Sequence, residues 1–395
     1  MNVLIVTMTL PYPPLGGGAI RVHGITEGLH QAGHQVTLLC FDDDDSSTPE
    51  HIDVYTVPPP QRSKIDRLRT LLMSSQPDIA QRFYDETFAE RLRDLLAAHT
   101  YDLIQFEGIE SICYLPIAQA AQPEATLCFD TFNAEYILQR NIFQIDRGKP
   151  HRWPAALYSW IQSRRIEHYE RAMCQRSDLV VAVSDEDAEL LRLLHPGGET
   201  AVVPNGIWVA PYQSEAMSKA EGRRLVFTGT MDYRPNVDAV LWFAEMVYPH
   251  VEDAEFFIVG QRPHPRLDAL REINGVTITG RVDSVLPHLQ GAAVYVAPLR
   301  MGSGTRLKLL EAMAAGCPIV ATNAASAGLN DAVRACMQIT DDPHEMATTI
   351  NTLLDHPAQR AAHIEAARVQ VRQHYDWSTL IPRLLAAYQN AGLEV

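Results

Sequence analysis

This sequence predicts two α/β domains, each built on a parallel sheet with helices on both faces, and three observations predict them. Short β-branched runs alternate with helical stretches along most of the 395 residues. The alternation lapses over the polar residues 210–222, which contain Pro211, Ser214, Ser218 and Gly222, and then restarts. The length itself suits two or three domains at about 150 residues each. Apolar residues make up 46% and charged residues 21% of the chain, an ordinary globular composition.

The first domain opens with a strand at residues 3–7. The opening MNVLIV carries no basic segment and reads as structure rather than as a leader peptide. Residues 11–18, PYPPLGGG, predict an irregular glycine loop. A helix follows over 20–31, stopped by Gly33, and then a strand at 36–41. Further strands are expected at 101–106, 125–129, 179–183 and 201–203. In the second domain the expected strands are 225–228, 256–259, 276–279, 294–297 and 319–321, with a last helix at 376–389. Strands separated by helices imply right-handed βαβ units. Such sheets bind ligands beyond the carboxyl ends of their strands, so a ligand cleft is expected between the two domains. Within residues 58–98, Arg62, Lys64, Arg67 and Arg69 interleave with Ile65, Leu68, Leu71 and Leu72. That pattern suits a basic amphipathic helix on an anionic membrane, or a helix covering the sheet with its charged face in water.

The net charge of −15 argues against general nucleic-acid binding, yet a local pocket can still favour a small anion. No apolar run approaches the ~18 residues of a membrane span. Cys40, Cys113, Cys128, Cys174, Cys317 and Cys336 show no CxxC spacing, which reads as buried free thiols in a reducing cytoplasm. The fifteen histidines show no paired ligand spacing, so no metal site is expected. The acidic run 42–45 reads as a solvated turn.

Residues 297–322, APLRMGSGTRLKLLEAMAAGCPIVAT, are the most informative. A strand ends at Ala297, a loop with Gly302 and Gly304 follows, and a helix runs from about Arg306 to Ala315. A glycine loop feeding a helix turns free backbone N–H groups toward an anion. At 100° per residue Leu307, Leu309, Leu310, Met313 and Ala314 share an arc of about 160°, with Lys308 and Glu311 opposite. A cation in the first turn, Arg306, opposes the helix dipole unless an anion such as a diphosphate sits before both. Glu311, one turn deeper, has the geometry to accept bonds from two ribose hydroxyls. The plainer alternative is a Lys308–Glu311 surface pair.

Leu310-Glu311-Ala312-Met313-Ala314-Ala315-Gly316-Cys317-Pro318-Ile319-Val320-Ala321 resembles the donor-site signature of glycosyltransferase family 4, the retaining group 1 enzymes of the GT-B fold. The likeness extends through Pro13 to Gly18, Val203-Pro204-Asn205-Gly206, the segment opening at Phe227-Thr228-Gly229, and His374-Tyr375-Asp376-Trp377. It implies a first domain over 1–208, a linker over 209–222, a nucleotide-sugar domain over 223–375, and a terminal helix, 376–395, packed back on the first domain. Donor contacts are then expected from Gly229, Arg281, Gly302, Ser303, Gly304, Thr305, Arg306, Lys308 and Glu311. Acceptor-side contacts are expected from Gly16, Gly17, Gly18 and Asn205. Two departures stand out: Ser303 replaces the first glutamate of the family's pair, and Phe132 falls where members carry a cleft histidine. Glu107, Asn133 and Glu135 are therefore the catalytic candidates, with Asp130 nearby.

The resemblance implies transfer of a sugar, a hexose or another, from a nucleoside-diphosphate donor to a hydroxyl of a glycan, glycolipid or small molecule, with retention and without metal or cofactor. No nucleophile is evident, which points to front-face attack by the acceptor. It also implies polysaccharide or glycolipid synthesis, and with the cysteine usage above the expected setting is the cytoplasm, where the basic pattern within residues 60–75 offers a peripheral contact with the inner membrane face if it does not cover the sheet. The rival readings are a GT-B sugar-nucleotide 2-epimerase, which would need acid and base groups not evident here, and a non-catalytic nucleotide-sugar binder, suggested by Phe132. A dinucleotide oxidoreductase lacks its GxGxxG after the first strand.

Overall fold

The computed structural model describes residues 1–14, 16–42, 48–61, 74–147, 153–213, 222–301 and 305–395. They divide into two units, Met1–Pro204 with Leu380–Val395, and Asn205–Thr379.

The first unit carries a seven-stranded parallel sheet of β1 (Asn2–Val6), β2 (Gln35–Phe41), β3 (Asp53–Val57), β4 (Leu103–Glu107), β5 (Thr126–Asp130), β6 (Leu179–Ala182) and β7 (Glu199–Val202), in the order β3-β2-β1-β4-β5-β6-β7. Val3, Leu4, Ile5 and Val6 are all fully buried, because a parallel strand with helices on both faces has no wet side. The order reverses between β1 and β4, and α1 (Gly17–Gln31) follows β1.

The glycine loop is shorter than the sequence suggests. Gly16 is the cap of α1 at φ +103°, and Gly17 and Gly18 already belong to the helix. The left-handed cap needs glycine, and at Gly18 a Cβ would stand 3.3 Å from the Phe132 ring. Helix α2 (Glu86–Ala98) is capped by Asp85, whose carboxylate accepts the Phe88 N–H at 3.1 Å. It buries Phe88, Leu92 and Leu95 in the unit's core, so this half of 58–98 covers the sheet. The basic residues 62–73 and acidic residues 43–45 lie outside the described residues. Helices α3 (Glu135–Arg147), α4 (Trp153–Cys174) and α5 (Asp185–Leu194) also belong to this unit.

The second unit has a six-stranded parallel sheet of β8 (Arg224–Thr228), β9 (Glu255–Val259), β10 (Val276–Gly280), β11 (Val294–Ala297), β12 (Ile319–Ala321) and β13 (Gln338–Ile339), in the order β10-β9-β8-β11-β12-β13. Its order reverses between β8 and β11. The helices that matter below are α6 (Arg234–Met246), α7 (Leu307–Ala315), α8 (Pro343–Asp355) and α9 (Pro357–Tyr375). Helix α7 ends where Gly316 takes φ +91°, a left-handed cap that a residue with a Cβ adopts only under strain.

Helix α10 (Trp377–Asn390) packs on the first unit from Leu380 onward. Ile381 lies on the bare backbone of Gly28 in α1, where a Cβ would come within 2.3 Å of Ile381 Cγ1 and Cδ1. The Tyr388 hydroxyl donates to Gln105 Oε1 at 2.5 Å. Among the described residues no helix is long and apolar enough to cross a membrane.

Candidate functional site

In the second unit Gly229, Arg306 and Lys308 lie where the strand order reverses, between β8 and β11. Gly229 leaves β8 as α6 is about to begin, and α7 begins beyond the loop that follows β11. Lys308, in the first turn of α7, donates from Nζ to Asn236 Oδ1 at 2.8 Å. Its ammonium lies 4.6 Å from the centroid of the Phe227 ring. Asn236 is held in turn by its amide, which donates to the Thr230 carbonyl at 2.9 Å. Gly229 leaves the space for this arrangement: a Cβ there would fall 2.6 Å from Asn236 Nδ2 and 2.9 Å from Lys308 Nζ.

Arg306 is the cap residue of α7, which starts one residue later than the sequence suggests. Its Nη2 reaches the Met301 carbonyl at 3.5 Å, and its buried Nε has no partner among the described residues. Burial lowers the pKa of both cations. For Lys308, with burial first and the neighbouring Arg306 second, the pKa falls to about 7. Among the described residues neither cation has a carboxylate at ion-pair distance. The Lys308–Glu311 surface pair is therefore not what forms. Glu311 instead accepts a hydrogen bond from the Tyr212 hydroxyl at 3.1 Å, and burial raises its pKa.

Two partly buried cations at a helix N-terminus, with only neutral partners, are arranged to receive an anion. Thr305 is partly buried beside them, whereas Gly302, Ser303 and Gly304 lie outside the described residues. Arg281 is exposed just beyond β10.

In the first unit the ends of β4 and β5 carry a different group. The Phe132 ring packs on the backbones of Gly18 and Gly108; a Cβ on Gly108 would lie 2.9 Å from the ring and 2.7 Å from Glu110 Oε2. Glu135 accepts from Gln139 Nε2 at 3.1 Å. Burial raises the pKa of Glu110 and of Glu135, and Glu110 adds to the shift at Glu135. Asn133 is partly buried, with its carbonyl accepting from Thr131 Oγ1 at 2.7 Å. Asn133 and Glu135 follow Phe132, the residue that packs on Gly18 of α1, and Gly16 and Gly17 are exposed. Asn205, expected on the acceptor side, falls in the second unit.

Glu107 must be reassigned. It is 1% exposed, takes a hydrogen bond from Gln105 at 2.7 Å, and lies against the carboxyl of Asp130. Burial, and then the adjacent Asp130, push its pKa well up. Asp130 is committed to Arg21, which donates to both carboxylate oxygens at 2.9 and 2.7 Å and to the Val203 carbonyl at 2.9 Å. Both ion-pair side chains are fully buried. A carboxyl sealed in this network does not touch a substrate. It belongs to the interior of the unit because the last residues of β4 and β5 point into the sheet's packing layer, not beyond its edge.

Sequence reasoning missed Asn236, Tyr212, Glu110 and Arg21. Tyr212 lies in the stretch read as a linker, yet residues 210–213 are bound to the second unit, through Glu311 and through Gln213, which accepts from Arg372. Glu110 follows β4 much as Glu135 follows β5, which was the one signal available.

Comparisons with known proteins show a chain of the GT-B fold with glycosyltransferase domains. Residues 15–210 match the family model described as Glycosyltransferase Family 4, and residues 222–356 match the one described as Glycosyl transferases group 1. The chain carries the domains of family 4, group 1 glycosyltransferases. It is 25% identical to a phosphatidyl-myo-inositol mannosyltransferase of Mycolicibacterium smegmatis, over 98% of this chain and 95% of that protein. In structure it resembles a sucrose-phosphate synthase from Thermosynechococcus elongatus, with TM-score 0.70, 17% identity and 99% of each chain covered. It also resembles Anabaena Alr3699/HepE in complex with UDP-glucose, with TM-score 0.63, 16% identity, and 99% of this chain and 100% of that chain covered.

Proposed function

We propose that this glycosyltransferase moves a hexose from a nucleoside-diphosphate sugar to a hydroxyl of a glycolipid or glycan, with retention of configuration. The observation that carries the reading is the pair Arg306 and Lys308 at the start of α7, two cations with no carboxylate partner among the described residues. Breaking the bond between anomeric carbon and diphosphate leaves negative charge on the β-phosphate, and fixed cations stabilise it without having to reorganise. Each charge-assisted hydrogen bond is worth about 1.5–3 kcal/mol. Glu311, already holding Tyr212 through one oxygen, keeps the other for the ribose hydroxyls.

The sugar then becomes oxocarbenium-like, and the acceptor hydroxyl approaches the face the diphosphate leaves. Glu135, Glu110 and Asn133 are the groups of the first unit assigned to the acceptor. A carboxyl whose pKa burial has raised is suited to take a proton from a hydroxyl near neutral pH. The glycolipid assignment draws on the mannosyltransferase, whose name gives a phosphoinositide acceptor. The sugar-nucleotide assignment draws on the neighbour holding UDP-glucose. A cytoplasmic setting, at the inner membrane face, suits both substrates.

The experiment is a panel of nucleotide sugars incubated with the protein while free nucleoside diphosphate is followed. Slow release from one donor, accelerated by an acceptor, is the expected result. Tight binding without release from any donor would make this a non-catalytic binder. Product still carrying the nucleotide, with the sugar's second centre inverted, would make it an epimerase.

A further inference from the structure

Tyr212 stands in a stretch with the composition of a connector, yet its place is fixed. It lies in a short 3-10 turn, Ala210–Gln213, where the Tyr212 N–H donates to the Val209 carbonyl at 3.0 Å. Val209 is buried, and Gln213 accepts a hydrogen bond from Arg372 of α9. From this turn the Tyr212 hydroxyl reaches Glu311 Oε1 at 3.1 Å. Burial, and then the Glu311 charge, raise the pKa of the phenol, so the hydroxyl keeps its proton and remains the donor.

Among the described residues Tyr212 is the one side chain that donates a hydrogen bond to the Glu311 carboxylate. The other polar groups around it are engaged elsewhere. Lys308, one turn earlier on α7, gives its ammonium to Asn236. Tyr295 of β11 shares its hydroxyl with Thr228 at 2.9 Å. Arg368 of α9 reaches the far end of α7, at the Ala315 carbonyl, 3.4 Å away. His288, in the short helix Leu286–Gln290, lies beside Arg224. The last torsion of a glutamate is broad and sets the plane of its carboxylate. Without Tyr212 nothing here would select one plane. Burial raises the pKa of Glu311, and the Tyr212 hydrogen bond, then Lys308, oppose that rise.

A vicinal diol presents two O–H donors at a fixed separation. An ionised carboxylate has about four acceptor sites, so one bond from Tyr212 leaves room for both donors, whereas the protonated acid turns one oxygen into a donor. Recognition of a diol therefore needs a carboxylate that is charged and set in one plane, and the Tyr212 hydroxyl favours both.

We propose that Tyr212 is a positioning residue for the nucleotide: its hydroxyl holds the Glu311 carboxylate in the plane that meets both ribose hydroxyls of the donor. This rests on the assignment of Glu311 to the ribose made above.

The test is titration calorimetry. Whichever of UDP, GDP and ADP binds most tightly is compared with its 2′,3′-dideoxy form. The wild-type protein should favour the full nucleotide by roughly tenfold or more, and Y212F should weaken that nucleotide about five- to tenfold, the scale of hydrogen bonds to a charged group. The dideoxy nucleotide should bind Y212F as it binds the wild type, which shows that the site is still folded. Preference for the full nucleotide should decline toward acid pH as Glu311 takes up a proton, and in Y212F that decline should begin at higher pH. Taking the ratio of the two ligands cancels the titration of the diphosphate and of Lys308. Q213A removes the turn's tie to Arg372 but keeps the hydroxyl, and should match the wild type with both ligands. Unchanged discrimination in Y212F, an unmoved acid limb, equal losses for both ligands, or the same loss in Q213A each overturn the proposal. E311Q separates the two levels. If it too keeps the preference for the full nucleotide, the ribose assignment falls and the proposal with it; if E311Q loses the preference and Y212F does not, the positioning role alone falls.

Discussion

Lys308 shows how much a single side chain states about its purpose. An ammonium that is partly buried beside a second cation, bonded only to the neutral Asn236, is costly until an anion arrives. Arg306→Ala and Lys308→Ala should each weaken nucleoside-diphosphate binding by about ten- to a hundredfold, the scale of one charge-assisted hydrogen bond. Binding of the nucleoside alone should hardly change, and titration calorimetry with the two ligands checks this. The pKa near 7 adds a pH dependence. A lysine whose folded pKa lies below its unfolded one destabilises the fold fully below pH 7, and that penalty is relieved as pH rises toward the unfolded value. A bound diphosphate favours the charged form, so affinity should fall as pH rises through 7. Lys308→Arg should flatten the profile, and the difference between the two proteins cancels the titration of the nucleotide itself. The helical spacing of 306, 308 and 311 was legible in the sequence. Asn236 and Tyr212 were not, because they are 72 and 99 residues from the side chains they hold.

At the scale of elements, α1 shows what pattern reading captures and what it loses. The apolar side containing Val22, Ile25 and Leu29 is where the helix is buried, but Arg21 and Gly28 lie within the same packed face. A lone cation in an apolar pattern looks like a solvated residue until its partner is known, and Asp130 is 109 residues away. Asp130→Ala should cost about 3–5 kcal/mol, because it leaves a buried guanidinium unpaired. Arg21→Met combined with Asp130→Leu should cost much less, as denaturant melts of the three proteins would show. Gly28 has the complementary logic. Gly28→Ala drives a methyl into Ile381 and should destabilise by about 1–3 kcal/mol, the usual result of overpacking. In the double variant with Ile381→Ala the methyl finds room, so the two losses should sum to less than their separate values. A double-mutant cycle by thermal melting reads the difference.

Across the whole molecule, the two parallel sheets were legible because buried strands are continuous apolar runs. The strands at two sheet edges were not: β3 has its central residues half-buried, and β13 is only two residues long. Neither gives a run to detect. A further property depends on the isolated bridge between Ile207 and Asp376. There the Ile207 N–H donates to the Tyr375 carbonyl at 2.8 Å, and the Trp377 N–H to the Ile207 carbonyl at 3.1 Å. The outgoing and returning chain of the second unit are thus tied to each other inside that unit. A segment whose two ends are already joined loses little further loop entropy wherever it is inserted. The second unit is therefore expected to melt separately: a scan of the intact protein should resolve two heat-absorption peaks. Saturating nucleoside diphosphate, by mass action worth about 2.7 kcal/mol at a hundred times its Kd, should displace one peak upward and leave the other where it was.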